Sequence, residues 1–559
     1  MPIDRRLFLA GASALAVPGV ASAAVTATGA NAAQKQAIAA IAAYLEAHRA
    51  YFALPAIGLV LVDGPFTATI LSGETDYLQT QSLTGRELWQ IGSISKSFVA
   101  LVCLQMAAEK KLDLEADVRT IFPEVQLPAA GGPFTIRGLL DHTTGLPDFA
   151  PVFAADGSPL WRGFPAGAHW SYSNTAYDII GKAIERIEGK PLAAVIEARI
   201  CRPLGMADTR GAITWADRSR YPASYSVQRP DRPVKQKNIL APAAWIDTTL
   251  GAGSVASTLP DMARYLRYLI AVQTGTGGPL LSNDLAKLWL ADPVAQDPEN
   301  KAETYGLGLM HRDYDGQKLL HHTGGMVSFS SSFHTDGAAG TGAFASCAIG
   351  GTGYRPKLLT LYATQALRLA KAGKPIPPPP ALGVPPMKDA AALTGSYSSG
   401  GKAVTLASTP AGLTLDTSGK PWPVEVNGGG NLVTDHPEFA AFPIAIVRDG
   451  DRVVALDYAA NRYVKDGATA PALPPTSARI AARAGRYQSD DPWIGGFSLV
   501  ARGDTLYIDG TEPITEIAND EWRLANPDWI PERLRFTGFM NGRPLLAVWS
   551  GRVLERRDG

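Results

Sequence analysis

Two proline runs set the limits within which this chain can fold. Lys374-Pro375-Ile376-Pro377-Pro378-Pro379-Pro380, continued by Pro385-Pro386, is the first, and Ala470-Pro471-Ala472-Leu473-Pro474-Pro475 is the second. Proline fixes φ and removes a backbone donor, so neither run can sit inside a helix or in a central strand. They read as stiff extended linkers. They divide the 559 residues into one long segment and two short ones of about 80 residues each. The expected domains are 34–373, 387–466 and 478–559. The two short segments open alike, with Leu393-Thr394-Gly395-Ser396-Tyr397 and Arg483-Ala484-Gly485-Arg486-Tyr487. Each continues through short alternating runs such as Val404-Thr405-Leu406 and Phe497-Ser498-Leu499-Val500, broken by Gly, Asn and Asp. That pattern predicts two related small antiparallel β-barrels.

The long segment mixes periods. Ala56–Val62 and Phe66–Leu71 flank Asp63-Gly64, a hairpin signal, and Ala343–Ile349 reads as a further strand. Apolar spacing near 3.6 predicts helices over Ile94–Lys110, Ala176–Glu188, Leu259–Leu269 and Leu358–Ala370. The expected class is α+β, an antiparallel sheet flanked by helices.

Charge and cysteine usage remove several functions. Lys+Arg and Asp+Glu number 52 each, so no net field draws the chain to nucleic acid. Cys103, Cys201 and Cys347 lie far apart in sequence and read as buried thiols rather than a disulfide framework. No HExxH pattern, P-loop or dinucleotide fingerprint occurs, so no metal and no cofactor is expected. At the N-terminus, Asp4-Arg5-Arg6-Leu7-Phe8-Leu9-Ala10, a small apolar run and Ala21-Ser22-Ala23 have the form of a twin-arginine signal peptide over residues 1–23. Pro18 and the shortness of the run argue against a retained membrane span. A periplasmic or secreted bacterial protein is expected.

Three motifs carry chemistry. Ser93-Ile94-Ser95-Lys96 opens a predicted helix, and a three-residue step puts both side chains on one face of its first turn. A lysine whose pKa burial lowers can activate the hydroxyl. Ser-x-x-Lys is expected about once by chance in a chain this long, and Ser399-Gly400-Gly401-Lys402 is set aside because no helix there brings the pair together. Tyr172-Ser173-Asn174 precedes a helix. A phenol can pass protons, and Asn offers both a donor and an acceptor to a substrate amide. His322-Thr323-Gly324-Gly325 lets backbone approach a ligand, with the Gly325 N–H pairing with that of Ser93 around an oxyanion.

In this order, and with Trp89-Gln90-Ile91-Gly92 before the first motif and Leu140-Asp141-His142-Thr143-Thr144-Gly145-Leu146-Pro147 between, the chain resembles the serine β-lactamase and penicillin-binding-protein superfamily, in its class-C-like branch. The resemblance covers about residues 35–370 and implies a β-lactamase-like domain. It implies Ser93 as acyl-accepting nucleophile and Lys96 and Tyr172 as the proton-transfer pair. Asn174 would contact the substrate amide, and His322, Gly324 and Gly325 would form the substrate-binding strand edge and oxyanion hole. Most β-lactamases and D-Ala-D-Ala carboxypeptidases have Lys where His322 stands, and a histidine is a weaker, pH-dependent cation. The His form is similar to that of the branch's D-aminopeptidases, peptide hydrolases and esterases, and its D-aminopeptidases also carry two C-terminal lipocalin-like barrels. The resemblance therefore implies a serine peptidase acting on short peptides, D-residue-containing or cyclic-derived ones included. An esterase is the alternative, and a carboxypeptidase, β-lactamase or muropeptide-binding protein a further one. In such D-aminopeptidases a loop of the last barrel narrows the active-site entrance. Asp490-Asp491-Pro492-Trp493-Ile494-Gly495-Gly496 is the candidate here, its acidic pair either a solvated turn or a receptor for a substrate α-ammonium. His142 and His321 are expected to pack or cap locally, and Asp148 to belong to a turn.

Overall fold

Strict alternation along a few strands builds the central sheet. In Ala56–Asp63, Ile57, Leu59 and Leu61 face one apolar core while Val60 and Val62 face another, as a period of two requires when both faces are covered. The computed structural model describes residues 23–235, 238–297, 299–383, 390–410 and 412–557. The signal-peptide expectation for residues 1–22 and the Pro385-Pro386 part of the first linker lie outside them.

Nine antiparallel strands form the sheet, in the order Ala24–Thr26, Phe66–Gly73, Ala56–Asp63, Thr341–Cys347, Ser330–Asp336, Gln317–Gly325, Met310–Tyr314, Asn300–Tyr305 and Val294–Asp297. The Asp63-Gly64 hairpin forms as predicted, with Gly64 at φ 55°. On one face lie the helices Ala32–Phe52 and Lys357–Lys371, packing Ile38, Ile41, Leu45, Leu359 and Leu367 onto the sheet. On the other lie Leu259–Gln273, Ser95–Ala108 and Asn174–Glu188. The four predicted helices are all present, each with ends within a few residues of the sequence pattern. Ser95–Ala108 is buried on nearly every side, its few polar residues included, the mark of a central helix.

After residue 390 the chain is almost wholly β. Eight strands from Gly395–Ser399 to Asn461–Lys465 form an antiparallel sheet, and backbone hydrogen bonds between Leu432 and Ile444 bring its edges nearly to closure. A second set of eight, from Gly485–Gln488 to Arg552–Arg557, closes fully. The repeated opening has a repeated geometry. The buried Tyr397 phenol donates to the Leu393 carbonyl at 2.6 Å, and the buried Tyr487 phenol donates to the Arg483 carbonyl at 2.9 Å. In both barrels the tyrosine thereby ties a short helix to the first strand. Ser399–Lys402 is the tip of a hairpin, with Gly400 and Gly401 at positive φ. Cys103, Cys201 and Cys347 are buried and free. No helix among the described residues is long and apolar enough to cross a membrane.

Candidate active site

From Glu87 to Leu104 only Ser93 is not buried. It sits in a single 3₁₀ turn, Gly92–Ile94, that leads directly into the central helix at Ser95. That turn is fixed on three sides. Trp89–Gln90 pairs with Ala256–Ser257, the Ser95 hydroxyl accepts the Val255 N–H at 3.0 Å, and the Ser331 hydroxyl donates to the Ile91 carbonyl at 2.9 Å. Gly92 has φ 54°, and a Cβ there would lie 2.8 Å from the Gly325 nitrogen. Only glycine allows the end of Gln317–Gly325 to approach so closely. The contact brings the Gly325 backbone nitrogen against the turn that carries Ser93.

Lys96 lies within the protein, with no exposed surface. Its Nζ is 2.6 Å from Asn174 Oδ1, 2.8 Å from the Ala252 carbonyl and 3.2 Å from Ser93 Oγ. Burial pulls the ammonium down to about 7, against the pull of the Asp148 and Asp178 carboxylates. A neutral amine has two hydrogens and one lone pair. The two short contacts take the hydrogens, and the longer one leaves the lone pair facing the Ser93 hydroxyl. The Nζ also stands 4.8 Å from the Tyr172 ring centroid.

Tyr172 is held by the residue before it and the residue after it. The Ser171 N–H donates to the His142 carbonyl at 3.0 Å, and the Ser173 N–H donates to His142 Nδ1 at 3.1 Å. The Ser173 hydroxyl then caps the next helix by accepting the Ala176 N–H. Burial raises the Tyr172 phenol far above its ordinary value, opposed by its hydrogen bond with Ser93. It therefore carries its proton at neutral pH. His142, at φ 65° and fully buried, packs 4.4 Å from the Tyr172 ring. Burial, then Lys96 and His322, keep it neutral. His321 packs too, stacked at 4.9 Å on His334.

His322 departs from the expected cation. Its ring is 1% exposed, with Nδ1 at 2.7 Å from the Thr323 carbonyl and Nε2 at 3.1 Å from the Tyr305 hydroxyl. Burial, with Lys96 nearby, pushes its pKa down to about 3. Both nitrogens are engaged and the ring is neutral, so it supports Tyr305 rather than presenting charge to a ligand. Gly324 and Gly325 do lie at the strand end beside Ser93. A Cβ on Gly324 would fall 1.9 Å from the Ile91 carbonyl oxygen, and one on Gly325 would fall 1.9 Å from Arg355 Nη2.

Asp148 is not a simple turn residue. Its Oδ1 accepts both the backbone N–H of Asn174 at 2.9 Å and the Asn174 side-chain amide at 2.8 Å. It thus orients Asn174 toward Lys96. Behind it the last barrel intervenes, for the Asp148 N–H donates to Glu532 Oε1 at 2.8 Å. The same barrel is anchored by the Trp161 indole donating to the Pro531 carbonyl and by Trp529 stacked 4.4 Å from His169.

A cavity of about 100 Å³ opens over Ser93, lined by Asn174, Asp178, Met326 and, from the last barrel, Trp493 and Arg552. The predicted loop therefore does reach the pocket through Trp493, but its acidic pair does not line the cavity. Asp491 accepts the Trp493 N–H at 3.0 Å and pairs with Arg552 at 3.1 Å. A larger cleft of about 830 Å³ between the barrels and the sheet domain contains none of the three motifs. Sequence reasoning missed Tyr305, Asp178, Arg552 and Glu532, because no spacing rule links segments that meet only in the fold. Among the described residues no three His, Cys, Asp or Glu side chains are grouped to hold a metal ion.

A sequence model of the family described as Beta-lactamase matches residues 8–366. Esterase EstB of Burkholderia gladioli is 31% identical over 204 residues, 30% of this chain and 50% of the esterase. A D-aminopeptidase of Cereibacter sphaeroides is 24% identical over 293 residues, 49% of this chain and 53% of that protein. The chain thus spans about half the length of these curated relatives. The octameric penicillin-binding protein homologue from Pyrococcus abyssi superposes with a TM-score of 0.54 at 20% identity, covering 77% of this chain and 100% of that one. That superposition is a likeness of fold.

Proposed function

The chain belongs to the Beta-lactamase family of serine hydrolases, and we propose that it works through an acyl-enzyme as a peptidase on short peptides. The observation that carries this reading is the geometry at Lys96, a buried amine with two acceptors for its hydrogens and its remaining contact on Ser93 Oγ. In the first half-reaction Lys96 takes the hydroxyl proton as Ser93 Oγ bonds to the substrate carbonyl carbon. The backbone N–H groups of Ser93 and Gly325 stabilise the oxyanion. Tyr172 hands its proton to the leaving amine and is reprotonated from Lys96. In the second half-reaction water follows the same route and the acid leaves Ser93.

The pocket supports a small acyl group. Its volume is about 100 Å³, and Trp493 and Arg552 wall it from the barrel side. The likeness to a D-aminopeptidase points to peptides that include D-residues. An esterase is the second reading, favoured by the 31% identity to EstB. The enclosed, neutral His322 speaks against carboxylate capture by the third motif, as a carboxypeptidase or β-lactamase would use it. Export to the periplasm or medium is part of the proposal and rests on the residue 1–23 pattern.

The test is parallel turnover of D- and L-aminoacyl p-nitroanilides, a blocked peptide, p-nitrophenyl butyrate and nitrocefin, each with wild type and Ser93→Ala. Anilide cleavage that disappears in a folded Ser93→Ala variant is the expected result. Turnover of the ester alone moves the assignment to esterase, and activity near wild type in Ser93→Ala overturns the mechanism.

A further inference from the structure

One carboxylate in the pocket moves no proton and touches no reacting atom in that scheme. Asp178 follows Asn174 by four residues on the Asn174–Glu188 helix, so the two side chains leave one face a turn apart. Both line the cavity over Ser93. A mid-helix aspartate is an unfavourable choice for the helix itself, which asks for another reason for its presence. One oxygen accepts the Ala252 N–H at 3.0 Å, and the carboxylate receives no other hydrogen bond among the described residues. The Ala252 carbonyl in turn accepts from Lys96, so Asp178 stands one peptide unit from the catalytic amine.

The neighbouring cations are engaged elsewhere. Arg552 donates to Asp491 at 3.1 Å and to the Phe149 carbonyl at 3.2 Å, and Lys182 to Glu185 at 2.9 Å. Lys96 is held by Asn174 and Ala252. Asp178 is partly exposed where it lines the cavity, so its second oxygen can be reached from the pocket, and the surrounding protein lifts its pKa to about 6. A cationic group entering the pocket would supply the missing donors. Asp490 and Asp491 do not line this cavity, and Asp491 is already committed to Arg552 and to its own turn.

We propose that Asp178 is the specificity residue that receives the α-ammonium of the residue acylating Ser93, which makes the enzyme an aminopeptidase requiring a free N-terminus. The proposal rests on the peptidase reading above. In the bound complex the ammonium donates to the Asp178 oxygen not taken by Ala252, Trp493 lies over the side chain, and the scissile carbonyl faces Ser93. An N-acylated substrate brings no charge to Asp178 and leaves the carboxylate unanswered.

The experiment compares alanine p-nitroanilide, in D and L forms, with its N-acetyl derivative and with p-nitrophenyl butyrate, in wild type and Asp178→Asn. Wild type is expected to prefer the free amine. Asp178→Asn should lose at least about tenfold in kcat/KM on the free amine relative to the ester and to the N-acetyl derivative, chiefly through KM, a tenfold change being about 1.4 kcal/mol; a shift common to all substrates is what the loss of its charge near Lys96 produces. An equal loss on all substrates makes Asp178 a support for Ala252 and overturns the proposal, as does unchanged discrimination. Wild type cleaving free and acetylated anilides alike overturns it and leaves the peptidase reading standing. Wild type cleaving only the ester removes both. Should Asp178→Asn not fold, inhibition of wild-type ester hydrolysis decides: alaninamide should compete and N-acetyl-alaninamide should not, and equal competition overturns the assignment.

Discussion

Replacing Asp148 by asparagine removes one charge from the network around Lys96 and keeps its shape. The amide oxygen of Asp148→Asn can still accept both N–H groups of Asn174, so the 2.9 and 2.8 Å contacts need not break. What changes is the field at the lysine. Lys96 and Asp148 are joined through the Asn174 side chain, at 2.6 Å on one end and 2.8 Å on the other. The two charges are therefore about 6 Å apart, and at an effective dielectric of about 20 their attraction is about 2–3 kcal/mol, or about two pKa units. Burial lowers the Lys96 pKa, and Asp148 raises it. Without Asp148 the lysine should release its proton at lower pH. Because the neutral amine is the working base, the acid limb of kcat/KM should move downward by about one to two pH units. Stability should move as well. Burial lifts the Asp148 carboxyl to about 6, so the folded state binds a proton more tightly than the unfolded state does. That group's contribution is fully favourable only below the unfolded value and is lost as pH rises through the folded one. The asparagine variant lacks this loss and should melt higher than wild type at pH 7, with the difference shrinking toward pH 4. The assay is a pH–rate profile from about pH 5 to about pH 9 beside thermal melts. An acid limb that stays in place, or moves upward, in a folded variant would refute Lys96 as the titrating base.

Three further outcomes follow from particular contacts. Gly324→Ala drives a methyl to within 1.9 Å of the Ile91 carbonyl oxygen. It should cost about 1–3 kcal/mol of stability and most of the activity, seen in melts and turnover; a wild-type-like enzyme would contradict the close approach. Tyr487→Phe removes a buried 2.9 Å hydrogen bond and should cost about 1 kcal/mol by denaturant titration. Tyr397→Phe should act alike in the other barrel. Trp493→Ala takes away one wall of the cavity and should raise kcat/KM for bulky acyl esters relative to small ones, whereas an unchanged ratio would remove that residue from the pocket's specificity.

The elements that repeat or alternate could be read from the chain. The Asp63-Gly64 hairpin and the four long helices follow from local periodicity, and those local preferences agree with the packing. The two Gly-x-Tyr openings pointed to paired barrels because each tyrosine performs the same tie. The Ser93, Lys96 and Tyr172 grouping was legible through motif spacing, and the fold brings those side chains together. Other features depend on contacts between distant segments. Histidine as a residue type suggested a titrating cation at 322, but Tyr305, from a strand two places across the sheet, covers the ring and keeps it neutral. Asp148 looked like a turn residue because nothing near it in sequence announces Asn174, 26 positions on. Arg552 and Glu532 sit in strings with no chemical signature, and only the docking of the last barrel gives them a place at the pocket.

That docking has a consequence for the chain as it is made. The hydrogen bond from Asp148 to Glu532 joins residues 384 apart, and Arg552 follows Tyr172 by 380 residues. At about 5–20 residues per second of synthesis, Ser93, Lys96 and Tyr172 exist for tens of seconds before the wall that bounds their pocket has been translated. Throughout that interval the nucleophile has no gate and Asp148 has no partner behind it. The finished pocket therefore waits on the second barrel, and a chain stopped before that barrel would carry Ser93, Lys96 and Tyr172 without the Trp493 and Arg552 wall.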